Sequence, residues 1–216
     1  MAISLIEKRL QYETTVVDLQ DKPEAFKSLY ASACGDPTMS AKVPILQTDD
    51  DATLIESMVI VEYLDDLSGA GDYSSEEKAR ARMWATLVPN WLSWFSILRT
   101  EAGSEEEQEA VAKVRDGLRA MDVFLAAGGS GPFVLGDSFS SAEAATAPFI
   151  SRLMLVLPGL RPELAPSRWL EEDGLTHCAA WVDAVVNRQS VSDTLPAASD
   201  MQQSYRNMME RFKKTA

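Results

Sequence analysis

KVPILQTDDDATLIESMVIVEYLDDL, Lys42 to Leu67, is the stretch whose reading decides the fold. It opens on Val43-Pro44 and the apolar pair Ile45-Leu46, turns through Asp49-Asp50-Asp51 and returns as Thr53-Leu54-Ile55. Two short apolar runs around an acidic turn predict a strand, a hairpin turn and a second strand. After Glu56-Ser57 the period changes. Ile60, Tyr63, Leu64 and Leu67 recur at i, i+3, i+4 and i+7, with Glu62, Asp65 and Asp66 on the other side, so an amphipathic helix follows. Glu56-Ser57 stands at the start of that helix, where backbone N–H groups lack partners and the helix dipole is positive. Ser57 at the cap is placed to offer its hydroxyl and N–H to a carboxylate. Glu56 beside it is placed to take an ammonium group. Such a pair suits the amino-acid end of a small zwitterion. From spacing alone, a plain N-cap beside a surface acid is the favoured reading.

On the N-terminal side, residues 2–10 have helical character, with Ile3, Leu5, Ile6 and Leu10 apolar and no capping residue before them. Residues 12–17, YETTVV, are rich in Thr, Val and Tyr and predict a strand. Asp21-Lys22-Pro23 predicts a helix start, with Asp21 as cap and Pro23 in the first turn. Ala25, Phe26, Leu29 and Tyr30 form its apolar face, and Cys34-Gly35-Asp36-Pro37 ends it. The order is helix, strand, helix, strand, strand, helix.

Ser68-Gly69-Ala70-Gly71-Asp72 reads as a linker. It separates a domain over residues 1–68 from a second over residues 74–216. The second reads as all-helical, and three starts carry the S-x-x-E spacing of a capping box: Ser74 with Glu77, Ser104 with Glu107 and Ser140 with Glu143. The first helix, residues 75–99, holds Trp84, Trp91, Trp94 and Phe95, and Pro89 is expected to kink it. The next has Val111, Val114, Leu118, Met121 and Leu125 at helical spacing. The third begins at Ser140, with Phe139 as a hydrophobic staple and Ala142, Ala145, Phe149, Leu153 and Val156 along one face; its small residues suit a central helix. Further helices are expected at residues 175–186 and 200–213.

Bulk properties narrow the function. The 216 residues carry a net charge of −13 and a pI near 4.5, which argues against nucleic acid or an anionic membrane as the main partner. Cys34 and Cys178 are the only cysteines and His177 the only histidine, so neither a disulfide framework nor a Cys/His metal cluster is expected. Asp49–Asp51 on one tight turn cannot converge on an ion without other ligands. No apolar run is long enough to span a bilayer and no signal peptide is evident, so a cytoplasmic protein is expected.

In this order and at these spacings, LIEKRLQYETTVVDLQDKPEAF, KVPIL, LIESMVIVEYLDD, GPFVLGDSFSSAEAATAPF and AAWVDAVVNRQSVSDTLP resemble the cytosolic glutathione transferase superfamily over nearly the whole chain. The KPEAF segment and the lysine before Val-Pro look most like omega-type or lambda-type members. The resemblance implies an α/β thioredoxin-like N-terminal domain followed by an all-α C-terminal helical bundle. It implies a cis peptide at Val43-Pro44, with Val43 aligning the cysteinyl part of glutathione. Glu56 and Ser57 match the pair that holds the γ-glutamyl end, and Lys42 is set to reach the glycine carboxylate. Glutathione enters as co-substrate, and no bound cofactor or metal is implied.

The family's first strand, and its catalytic Tyr, Ser or Cys, fall before the position matched by Met1, so an N-terminally incomplete domain and a catalytic residue outside these positions are expected. The reaction implied is attack of the glutathione thiolate on an electrophile, as in detoxification, or thiol transfer and dehydroascorbate reduction through a mixed disulfide. Trp84, Trp91, Trp94 and Phe95 are candidates for lining a co-substrate pocket, although aromatic residues at helical spacing are more often core. The alternative is a non-catalytic binding or assembly module of the same fold. A homodimer is expected by resemblance.

Overall fold

The computed structural model describes residues 1–69 and 73–215. Residues 70–72 of the expected linker lie outside the described residues. The chain divides into two compact units, Met1–Asp72 and Tyr73–Ala216.

The first unit contains α1 (Ala2–Glu7), α2 (Glu24–Cys34), β1 (Ile45–Gln47), β2 (Thr53–Ile55) and α3 (Ser57–Ser68). The strands pair antiparallel, with Ile45 opposite Ile55, Leu46 opposite Leu54 and Gln47 opposite Thr53. The acidic turn is closed by the Thr48 N–H donating to Ala52 O (2.9 Å), the Asp51 N–H donating to Thr48 O (3.0 Å) and the Ala52 N–H donating to Thr48 Oγ1 (3.1 Å). Asp51 takes the left-handed φ of 61° that aspartate tolerates in tight turns. Leu5, Ile60 and Leu64 form the core, joined by Leu46, Leu54 and Tyr63. On α3 the buried face is Ile60, Val61 and Leu64, while Leu67 is 57% exposed, so the expected stripe is rotated toward Val61. Lys8 ties α1 to α3 through Asp65 at 2.5 Å.

Two expectations fail in this unit. Residues 12–17 form no strand: they are almost wholly exposed, and Val16 stands 90% exposed. β-branched composition favours a pleated, half-buried surface, but a strand exists only where a neighbour completes its ladder. The described residues include no strand paired with this segment. Asp21 does not cap α2. The N-cap is Pro23, at φ −58° and ψ 144°, so the helix begins at Glu24, whose carboxylate lies in the first turn and pairs with Lys27.

The second unit contains α4 (Ser75–Trp91), a 3-10 helix (Trp94–Arg99), α5 (Glu105–Ala126), α6 (Ser141–Leu160), α7 (Pro166–Glu172), α8 (Thr176–Val186), α9 (Gln189–Ser192) and α10 (Ala198–Thr215). The single helix expected over residues 75–99 is split: α4 closes two residues after Pro89, which lacks the N–H needed to continue the ladder, and the chain resumes as a 3-10 turn. α6 is the centre, packed by α4, α7, α8, α9 and α10. Its buried face includes Ala142, Ala147, Ile150, Leu153 and Val156, whereas Phe149 is 38% exposed and does not join it.

Capping boxes form at Ser74/Glu77 and Ser140/Glu143. At Ser104 only half forms. Ser104 accepts from the Glu107 N–H, but the Glu107 carboxylate accepts from the Gly103 N–H (2.8 Å) and from Arg161 Nε (3.0 Å) instead. Phe139 packs edge-on against Phe133, 5.6 Å between centroids, beneath the Arg188 guanidinium.

Candidate functional site

β2 ends at Ile55 and α3 begins at Ser57, so one residue must turn the chain from strand to helix. That residue is Glu56, at φ 67° and ψ 113°, a conformation costly for any residue with a Cβ. Glu56, not Ser57, is therefore the N-cap. Its carbonyl accepts the first helical bond from the Ile60 N–H (3.0 Å), and its side chain makes no capping bond. Ser57 is the first residue of the helix. Both side chains are exposed. Backbone N–H groups in the first turn of α3 have no intrahelical acceptor. An exposed carboxylate and an exposed hydroxyl thus stand beside a set of donors with a positive dipole behind them.

The hairpin register brings the second candidate segment to the same place. Ile45 opposes Ile55, and the residues just beyond that pair are Pro44 and Glu56, so Val43-Pro44 and Glu56-Ser57 leave the ladder at one end. The peptide between Val43 and Pro44 is cis, as the family resemblance implies. Val43 is 49% exposed and Pro44 half-buried. Lys42 is exposed and follows Ala41, which is buried. Sequence reading missed what anchors this approach: Lys22 donates from Nζ to Ala41 O at 2.9 Å, nineteen residues away, a contact with no local signal. The acidic turn lies at the opposite end of the hairpin.

The aromatic candidates do not form one cluster. Trp84 is fully buried, donates from Nε1 to Thr146 Oγ1 (3.0 Å) and packs against Trp91, Phe124 and Trp181. Trp94 and Phe95 instead meet Tyr205, at centroid distances of 5.3 and 6.0 Å. Trp84 and Trp94 are both buried, Trp91 and Phe95 half-buried, and the Trp94/Phe95 pair lies where the 3-10 helix meets α10.

The two thiols differ. Burial, with Asp122 nearby, pushes the Cys178 thiol up to about 12, and the residue is buried, so it supplies no thiolate at neutral pH. Cys34 is half-buried at the end of α2, and its Sγ donates to Asp36 O at 3.2 Å. His177 is exposed and sits 3.8 Å from Asp122. Among the described residues, no group of three or more His, Cys, Asp or Glu side chains is placed to hold a metal. No helix of these residues is long and apolar enough to cross a membrane.

Residues 2–67 match the family model for the glutathione S-transferase N-terminal domain, and residues 101–184 match that for its C-terminal domain. Glutathione S-transferase U17 of Arabidopsis thaliana is 30% identical over 170 residues, covering 74% of this chain and 71% of that protein. The solved structure of glutathione transferase Omega 3C from Trametes versicolor is similar at a TM-score of 0.72 and 22% identity, over 96% of this chain and 85% of that one. Rice GST1 (OsGSTU1), solved in complex with glutathione, is similar at a TM-score of 0.76 and 20% identity, over 98% and 90%. The architecture of a thioredoxin-like unit followed by a helical one is the fold these structures share with the chain.

Proposed function

The chain belongs to the glutathione S-transferase family, and from that premise we propose that its first unit binds glutathione at the open end of the β1–β2 hairpin. The observation that carries the reading is Glu56. A non-glycine residue held at a positive φ, exposed, with its side chain spent on no cap, serves no purpose in the packing of this unit. Held there, its carboxylate is available to the γ-glutamyl ammonium. Ser57 and the first N–H groups of α3 receive the γ-glutamyl carboxylate. Val43 offers its backbone to the cysteinyl residue, and Lys42 faces the glycine carboxylate. Glutathione is a co-substrate in this reading, and no bound cofactor is required.

The activity proposed is transfer of the glutathione thiol to an electrophilic or disulfide small molecule, including the omega-type thiol transfer and dehydroascorbate reduction that the KPEAF segment and Lys42 suggest. No catalytic residue is assigned. Trp91 and Phe95, both half-buried, remain candidates for contact with the second substrate; the burial of Trp84 and Trp94 removes them from that role. A cytoplasmic homodimer belongs to the same proposal.

A second reading is a glutathione-binding or assembly module of the same fold without turnover. Retention on glutathione-agarose, followed by assays with an aromatic halide, a mixed disulfide and dehydroascorbate, separates the two. Retention with turnover supports the enzyme, and retention without it supports the module. Failure to bind glutathione contradicts both.

A further inference from the structure

Residues 1–72 carry fourteen acidic side chains against five basic ones. Three of the five are engaged: Lys8 with Asp65, Lys27 with Glu24, and Lys22 with the Ala41 carbonyl. Asp36 is held in its charged form by hydrogen bonds from Thr38. The second unit, with nineteen acidic against fifteen basic residues, has the same sign and does not offset the first. Glutathione is itself an anion at neutral pH. The proposed site therefore holds an anion by short-range contacts, the N-terminus of α3 and Lys42, inside a long-range field that repels it.

These two influences differ in reach, and that difference has a consequence for the second substrate. Contacts at the γ-glutamyl and glycine ends act on groups every glutathione derivative shares. Whatever is carried on the sulfur lacks those shared ionic contacts and feels the field directly. We infer that this field grades co-substrates by charge at low ionic strength: neutral or cationic ones are held more tightly than anionic ones. The inference rests on the glutathione reading above.

Magnitudes make it testable. Asp49–Asp51 lie at the far end of the hairpin, about 17 Å from Pro44 at the usual strand rise. Charges at that range act across a Debye length of about 30 Å at about 0.01 M salt, and are screened when it falls to about 8 Å at about 0.15 M. The three charges of that turn give roughly twofold in affinity per unit of ligand charge at the lower salt, and less than about 1.2-fold at the higher. Neutralising them removes that share.

The experiment measures binding of three inert thioethers by calorimetry: S-(2-aminoethyl)-, S-(2-hydroxyethyl)- and S-(2-carboxyethyl)-glutathione. They match in size and are respectively neutral, singly negative and doubly negative overall. Glutathione itself is measured beside them. The expected result is affinity falling in that order at about 0.01 M salt. The spread should collapse at about 0.15 M and narrow in the combined variant Asp49→Asn, Asp50→Asn, Asp51→Asn. Equal affinities at low salt overturn the inference and leave glutathione binding intact. A spread indifferent to salt and to the variant also overturns it, because it assigns the preference to a local contact. Failure of glutathione and all three thioethers to bind overturns the underlying reading as well, and so is distinguishable.

Discussion

Ile45 pairs with Ile55 at the last rung of the two-stranded ladder, and that register brings the Val43-Pro44 segment to the same end of the hairpin as Glu56. The relationship is local, set by a five-residue turn and by β2 running into α3 with one residue between them. It requires no long-range contact to place two candidate ligand-binding segments side by side.

Glu56 and the γ-glutamyl ammonium are predicted to be coupled. A charge-assisted hydrogen bond contributes about 2 kcal/mol, or about 30-fold in affinity. Wild-type protein should bind glutathione about that much more tightly than an analogue lacking the γ-glutamyl amine. Glu56→Gln should bind both about equally. Calorimetric titration of the four combinations reads the coupling directly.

Gly117 on α5 lies against the backbone of Trp91, and a Cβ there would overlap the Trp91 carbonyl. Backbone cannot swing aside, so Gly117→Ala is expected to lower unfolding free energy by about 1–3 kcal/mol despite the better helix propensity of alanine. Gly159→Ala is the comparison. Its Cβ meets the Gln202 side chain, which can move, so its cost should be under about 1 kcal/mol. Urea denaturation measures both.

Glu143 is fully buried, and its carboxylate accepts from the Val134 N–H (2.8 Å), the Ser140 N–H (2.9 Å) and hydroxyl (2.7 Å), and Trp181 Nε1 (3.2 Å). Burial raises its pKa above the ordinary value, with these bonds opposing. In the folded protein a raised carboxyl pKa means that, above about pH 4.3, the unfolded chain loses this proton first. The group's contribution is thus fully present below that pH and declines as pH rises through the folded value. Glu143→Gln removes the titration and sets an NH2 group against donors, costing about 1–3 kcal/mol. The stability advantage of wild type over Glu143→Gln should shrink with rising pH across this window, read from denaturation midpoints.

Of the two thiols, Cys34 should react with a chromogenic disulfide in the native protein and Cys178 should not, since burial holds it protonated. One equivalent is expected without denaturant and two in urea. Cys34→Ser should give none in the native state.

Much of this was legible in local sequence. The hairpin, α3, the start of α6 and its central place follow from alternation, period and caps over a few residues. Residues 12–17 were misread because composition marks what a strand prefers, while pairing depends on a neighbour. The break after Trp91 was underestimated because Pro89 was expected to bend a helix whose continuation needed more than apolar spacing. Leu67 and Phe149 carry the right period but the wrong rotation, which packing decides. At the site, residue types and their order were readable. The positive φ of Glu56 and the Lys22–Ala41 tie were not, since the first depends on a loop of one residue and the second joins distant segments.

The central claim is that glutathione binds at the start of α3, and calorimetric titration of wild type against Ser57→Ala tests it most directly. Ser57 is exposed and makes no capping bond, so its truncation should leave the urea midpoint unchanged. Wild type is expected to bind one glutathione per chain saturably, and Ser57→Ala to bind about 30-fold more weakly. No binding by wild type, or equal affinity in the two proteins, would contradict it.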